Sequence, residues 1–301
     1  MAPSTQRIEL LREDFRRFTR ALQRLKGGDF QAVEPAWLAT RRLREILPVL
    51  QLDSGAVRKA SARLRKLSRR LAEARDLDGV LQVVDAMMAS ERRARSAFAR
   101  VQADLQKAAG QCRAQLTKKK SVHEARRLAD KLDELLQDAS LTIDQPSHSR
   151  DLRWAVGARV ARRATTLKDA IGSAGSVYLA ERLQSVRVAL TKFRFAMELS
   201  TRLGAGASAA DTRALIRIHA LLGRLYYTQA LIDRVREVQS KLATPDLRVW
   251  RELDGVVVAL ESRSRALHAR YVRERDAVVA LCDRVAAKAP VAGGSAGRRV
   301  S

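Results

Sequence analysis

Thr40–Leu50, TRRLREILPVL, is the stretch that decides the fold class. Ala39, Leu43, Ile46, Leu47 and Leu50 recur at spacings of three and four, which puts them on one face of a helix running from about Ala32 to Gln51. Glu34, Trp37, Arg41 and Arg44 follow at i, i+3, i+7 and i+10 and line a second face. A helix that is apolar on one side and arginine-rich on another needs further helices to cover its apolar stripe. This stretch therefore predicts a bundle.

Outward from it the same pattern repeats. A first helix near Arg7–Lys26 ends at Gly27-Gly28, with Asp29 able to start the next. After a turn at Asp53-Ser54-Gly55, a third helix over about Ala56–Ala74 turns Val57, Ala60, Leu64, Leu67 and Leu71 inward. Its Arg58, Arg65, Lys66, Arg69 and Arg70 face outward. RDLD (Arg75–Asp78) reads as a junction, with Asp76 as N-cap of a helix reaching about Ala109. Gly110 and Lys118–Lys120 punctuate the next stretch, before a helix from Ser121 to about Ala139. Ile143–His148 is the candidate midpoint linker. Helices resume at about Ser149–Gly172 and Ser176–Leu203, and Gly204–Asp211 is a loop with Asp211 as cap. The next helix reaches Leu242 with a break near Gly223, Pro245-Asp246 opens the last long helix to about Ala289, and PVAGGSAGRRVS reads as a frayed tail.

With 6 prolines, 15 glycines and few alternating runs, the chain is predicted to be all-α. Its 301 residues are 46% hydrophobic, enough to bury a core, which argues against disorder. Lys and Arg number 58 against 33 Asp and Glu, a net charge of +25, and 46 of the 58 are arginine. Guanidinium forks grip phosphate or carboxylate bidentately where lysine acts as a point charge. A charge this large repels itself in a compact state, so an anionic partner is the natural compensation. Cys112 and Cys282 make no metal or disulfide pattern and read as reduced thiols. The opening MAPSTQRIELLREDFRRF has no apolar run of signal-peptide length, and the longest apolar stretch, Val256–Leu260, is far too short to span a bilayer. The expectation is a soluble cytoplasmic protein without membrane insertion.

The two halves look related. TRRLREILPVL lies 150 positions before LTKFRFAMEL (Leu190–Leu199) when Arg44 is set on Arg194. LAEARDLDGVL (Leu71–Leu81) lies 151 before LGRLYYTQALI (Leu222–Ile232). Both offsets are half the chain length, which points to duplication of a four-helix unit. In the later helix the positions corresponding to the arginine-rich face are Gln184, Arg187, Thr191 and Arg194, with Leu183, Val186, Leu190, Phe193 and Met197 as the apolar face. The expected units are residues 1–145, residues 146–290 and a tail over 291–301. If the halves pack about a pseudo-twofold axis, their basic faces line one shared groove.

These motifs resemble the CHAD domain, the conserved histidine α-helical domain. TRRLREILPVL, a basic helix and ARDLDGVL are similar to the family's first motif pair. VRVALTKFRFAMEL followed by LLGRLYYTQALI is similar to its second. The resemblance covers about Ala32–Asp246. It implies two four-helix bundles related by a pseudo-twofold axis around a basic central groove that binds inorganic polyphosphate. It also implies location on polyphosphate granules or beside polyphosphate-metabolising enzymes. The chain departs from the family where the name-giving histidine is Glu34 and the arginine after it is Trp37. In the second half the matching histidine is Gln184, and the histidine–aspartate pair is Tyr226-Tyr227. A carboxylate at Glu34 would repel a phosphate chain or neutralise a neighbouring arginine.

No catalytic constellation stands out. His123, His148, His219 and His268 are scattered without metal-ligand spacing, and phosphate-loop and nucleophile-elbow motifs are absent. Asp76 and Asp78 point to different helix faces, which suits salt bridges better than a metal. VHEARR (Val122–Arg127) offers one histidine beside basic residues. Aromatics are only 4%, with Trp37 the one exposed candidate for stacking a base. The sequence thus predicts non-catalytic binding of a linear polyanion, inorganic polyphosphate first, with no cofactor and no metal. Arg41, Arg44, Arg187 and Arg194 would grip phosphate oxygens, supported by Arg42, Lys66, Arg69 and Lys192. The rival readings are an adaptor that docks an acidic protein and a non-specific nucleic-acid binder.

Overall fold

Gly27-Gly28 and the aspartate after them act as the sequence predicts. In the computed structural model α1 (Pro3–Lys26) stops there. Gly28 takes φ +84°, a left-handed conformation that suits a residue without Cβ. Asp29 accepts a hydrogen bond from the Gln31 amide at 3.0 Å, capping a 3-10 turn (Phe30–Ala32) that leads into α2 (Val33–Ile46). The structure describes residues 3–49, 54–90, 94–142, 147–204, 208–242 and 247–288. Asp53 of the first predicted turn, residues 143–146 of the midpoint linker, residues 205–207 of the glycine-rich loop, Pro245-Asp246 and the tail from residue 290 lie outside them.

Among the described residues the chain is all-α. After α2 come α3 (Ser54–Ser90), α4 (Arg95–Thr117), α5 (Lys119–Thr142), α6 (Ser147–Ala174), α7 (Ala180–Arg202), α8 (Ala209–Ser240) and α9 (Leu247–Ala287). None of these helices is long and apolar enough to cross a membrane.

Four expected boundaries move, the first at Gly110, which lies inside α4 and does not interrupt it. RDLD is not a junction, because α3 runs through it for 37 residues. Asp76 is no N-cap: its carboxylate accepts hydrogen bonds from side chains instead. The helix predicted to reach Ala109 is therefore two, α3 and α4. Gly223 does not break α8, which is continuous for 32 residues. The cap of α8 is Ser208, whose hydroxyl accepts from the Asp211 amide at 3.1 Å, while Asp211 sits in the first turn.

The two halves repeat one pattern of neighbours. α1 packs on α2 as α6 packs on α7, α2 on α3 as α7 on α8, and α3 on α4 as α8 on α9. The 41-residue α9 touches both α8 and α6, and so fills the place that α4 and α5 share in the first half. The halves meet through the motif helices themselves, α2 against α7 and α3 against α8. Most of the apolar positions read from the sequence are buried: Leu43, Leu64, Leu71 and Phe193 are fully inaccessible, whereas Val57 and Leu67 are half-buried and Leu50 lies outside the described residues. Each of the three core clusters draws residues from before and after residue 145. Burial of the motif helices against each other fixes where their basic faces go.

Candidate anion-binding site

Where α2, α3, α6 and α7 come together, their basic residues converge. Arg41 and Arg44 of α2 feel each other's charge. Arg41 also feels Arg75 of α3 and Arg187 of α7, and Arg44 feels Arg65 and Arg69 of α3 and Arg163 of α6. Lys192 of α7 lies in the field of Arg163, Arg44 and Arg41. Burial and then this mutual repulsion push Arg41 down to about 10. The same two causes, in the same order, lower Arg44 and Lys192.

The carboxylates nearby are already engaged. Glu45 is held by Arg159 at 2.6 Å and Arg163 at 3.2 Å. Glu198 is held by Arg42 at 2.7 Å. Among the described residues Arg41, Arg44, Arg69, Lys192 and Arg194 form no ion pair, and the buried Nε of Arg41 has no hydrogen-bond partner.

Arg187 is fixed rather than free. Its guanidinium donates to Asp76 Oδ1 at 3.2 Å and to Gln184 Oε1 at 3.4 Å, and lies 3.9 Å above the Tyr226 ring. Asp76 Oδ1 also accepts from Arg75 at 3.0 Å and from the Tyr227 hydroxyl at 3.4 Å. One carboxylate of the RDLD stretch thus ties α3 to α7 and α8. Asp78, on another face as expected, pairs with Arg113 of α4 at 2.7 Å. The group of Asp76, Arg187, Tyr226 and Tyr227 borders two clefts. One, of about 590 Å³, is lined by Glu34, Arg75, Arg187, His219, Tyr227 and Arg263. The other, of about 540 Å³, includes Arg69, Asp76, Tyr226 and Arg234.

The departures from the expected motif take definite roles. Glu34 sits 3.7 Å from Arg75 and partly neutralises it. Partial desolvation pushes the Glu34 carboxyl up, while Arg75 and Arg194 pull it down. Trp37 is not an exposed stacking platform. It is 3% exposed, edge-on to Phe195 of α7, with Arg75 stacked on its ring at 3.8 Å and Arg41 at 5.1 Å. A large ring at the α2–α7 contact removes more apolar surface from water there than it would on a solvent face.

Of the eight predicted residues, Arg41, Arg44, Arg69, Arg187, Lys192 and Arg194 gather around this junction. Arg42 is beside it but paired with Glu198. Lys66 stands off: its ammonium faces Glu124 of α5 at 3.3 Å. Arg163, which joins the cluster from α6, and His219 of α8 were not among the predicted residues. His219 Nδ1 lies 3.4 Å from Arg194 and Nε2 lies 3.4 Å from Thr191 Oγ1. The available signals were Arg159/Arg163 at i, i+4 along the edge of the Val156/Val160/Ala164 face, and His219, Gly223 and Tyr226 at i, i+4, i+7 on α8.

Fold and site define a class: an all-α domain whose paired basic helices meet at a cationic cluster short of counter-charges. A model of the CHAD domain matches residues 9–236, and the chain belongs to that family. It is also similar to the CHAD domain from the plant Ricinus communis in its crystal structure. The TM-score is 0.58 and the identity 17%, over 92% of this chain and 91% of that one, a likeness of fold. No curated protein matches the sequence.

Proposed function

We propose that the chain binds a linear polyanion without chemically altering it, inorganic polyphosphate first, through the cluster of Arg41, Arg44, Arg187, Lys192 and Arg194. Arg42 and Arg69 border this cluster, and Lys66 lies at its outer edge. The observation that carries the reading is Arg41. Its guanidinium is mostly buried among like charges, unpaired, with a buried N–H unsatisfied, and such a donor costs about 1–3 kcal/mol until something accepts from it. Non-bridging phosphate oxygens do so and neutralise the cluster at once. Repeated phosphates along one chain make weak contacts additive through effective concentration. On this reading the protein acts in the cytoplasm, at polyphosphate granules.

Fluorescence anisotropy with end-labelled long-chain polyphosphate, at near-physiological salt and with duplex DNA as competitor, tests it. Tight, chain-length-dependent binding that resists DNA is expected. Arg41→Ala/Arg194→Ala should weaken it by about tenfold or more per contact and reduce the slope of affinity against salt. Lys66→Ala should change it little. Equal displacement by DNA would point to generic basicity, and unchanged affinity in the folded double variant would remove the site.

A further inference from the structure

The second half runs through α9 without a break, whereas the first half bends at Lys118. Neither proline nor glycine stands there, yet Lys118 is extended (φ −56°, ψ 139°) between α4 and α5. The Ser121 hydroxyl donates to the Gln115 carbonyl at 2.8 Å, and the Val122 amide donates to that of Lys118 at 3.0 Å, fixing the bend. Beneath it, between α1, α3 and the start of α5, is a cavity of about 540 Å³ that shares no residue with the cationic cluster.

Besides the polar Thr19, Gln23, Ser121 and His123, its lining is of two kinds. Leu22, Leu67, Leu116 and Val122 form an apolar floor that remains partly exposed although three of the four adjoin the core. Lys26, Lys119 and Arg126 stand exposed at the rim, and none of the three is in an ion pair among the described residues. No carboxylate lines the cavity. The one lining arginine that is paired, Arg70, is held by Glu124 just outside at 2.8 Å. The N-terminal end of α5 adds its positive dipole end to the rim.

A bare phosphate chain gains nothing from the floor, and a neutral alkane gains nothing from the rim. Pockets of this size take small molecules whose apolar body is buried and whose polar group is fixed by a few side chains. We propose that this cavity binds a single-chain amphiphilic anion. Its alkyl or acyl chain lies on Leu22, Leu67, Leu116 and Val122, and its phosphate or carboxylate head sits at Lys26, Lys119 and Arg126.

The test is calorimetric titration of the full chain with decyl phosphate below its micelle-forming concentration. Decanol and inorganic phosphate serve as the two halves of the ligand. A saturable one-site isotherm is expected for decyl phosphate, with each half at least about tenfold weaker because it forfeits one of the two contact types. Ala129→Trp, which fills the cavity, and Lys26→Glu/Arg126→Glu, which reverses the rim, should each lower affinity by a similar factor, with folding verified by circular dichroism. Arg41→Ala/Arg194→Ala should leave it intact, so this result stands or falls apart from polyphosphate binding. Non-saturable binding, inorganic phosphate as good as decyl phosphate, or indifference to both cavity variants overturns the proposal. Cosedimentation with phosphatidylglycerol vesicles separates the two sources of the head group. Retention lost in both variants, together with monomer binding, means a chain drawn from a bilayer, and monomer binding without retention means a free ligand. Retention sensitive to rim charge alone, without monomer binding, overturns the pocket.

Discussion

His219 holds a guanidinium without cancelling its charge. The one hydroxyl proton of Thr191 goes to the Arg187 carbonyl at 2.8 Å, so that oxygen can only accept from His219 Nε2. The Nδ1 lone pair is then left for Arg194. A carboxylate in this place would position Arg194 equally well and neutralise it. Burial, then Arg194, Arg187 and Arg75, push the imidazolium pKa down to about 3. The folded value lies below the unfolded one near 6.5, so the stability this group contributes is complete above pH 6.5. It is lost as pH falls from there toward 3, because the unfolded chain takes up a proton that the folded chain refuses. His219→Gln, which cannot titrate, should flatten the decline by up to roughly 1.4 kcal/mol per pH unit. Urea midpoints from pH 7 to pH 4 measure it, and parallel curves for the two proteins would contradict it. Arg41 is shifted in the same direction, but from a much higher starting value. Its depressed value still lies above neutrality, so it stays charged and penalises the fold at every ordinary pH. Arg41→Met should therefore raise the thermal midpoint, by about 2–4 °C for each kcal/mol relieved, while weakening polyanion binding. A lowered midpoint would show that Arg41 stabilises the free protein.

Two glycines on facing helices separate packing from propensity at the scale of the element. A Cβ added to Gly79 in α3 would lie 2.5 Å from Tyr227 Cζ, an impossible approach. The Tyr227 ring has no soft end with which to retreat, and its hydroxyl is tied to Asp76. Gly79→Ala should cost about 1–3 kcal/mol and loosen the Asp76 crosslink between α3 and α8. A Cβ on Gly223 meets nothing within 4 Å in mid-helix, so Gly223→Ala should gain up to about 1 kcal/mol through helix propensity. Chemical denaturation of the two variants reads both signs, and equal effects would refute the close contact. The same pair shows what the sequence could and could not give. Helix faces were legible, because the spacing of Leu43, Leu64 and Phe193 needs no knowledge of partners. Breaks were legible only in part: Gly27-Gly28 and Asp29 end one helix and start the next as read, but glycine and aspartate signal a terminus only when nothing else explains them. Gly79 makes room for a ring, Gly223 is tolerated inside a long helix, and Asp76 answers to Arg187, which is 111 residues away in sequence. Likewise the arginines of α2 and α7 could be read as a site, but His219 and Arg163 gain meaning only once α6, α7 and α8 are set side by side.

Across the whole molecule the net charge of +25 makes salt and ligand act in opposition. In the free protein, screening relieves repulsion among cations that lack counter-charges, so the thermal midpoint should rise with sodium chloride between low and physiological ionic strength. On the proposed function, polyphosphate would do the same work locally by binding only the folded cluster. At a hundredfold excess over its dissociation constant it should add about 2.7 kcal/mol. That is roughly 5–10 °C at the usual conversion for chains of this size. Its affinity should fall as salt rises, however, because released counterions would drive it. The two melting curves should therefore converge as salt increases, one climbing and the other descending. Arg41→Met should bring them together earlier from both sides, with a smaller climb for the free protein and a smaller offset with ligand. Differential scanning fluorimetry over a salt series measures all four curves. Parallel curves would mean that the charge responsible is spread over the surface and the α2–α7 cluster has no special part in it. Convergence altered by Arg41→Met and untouched by Lys66→Ala would locate the repulsion, and its relief, where the two motif helices meet.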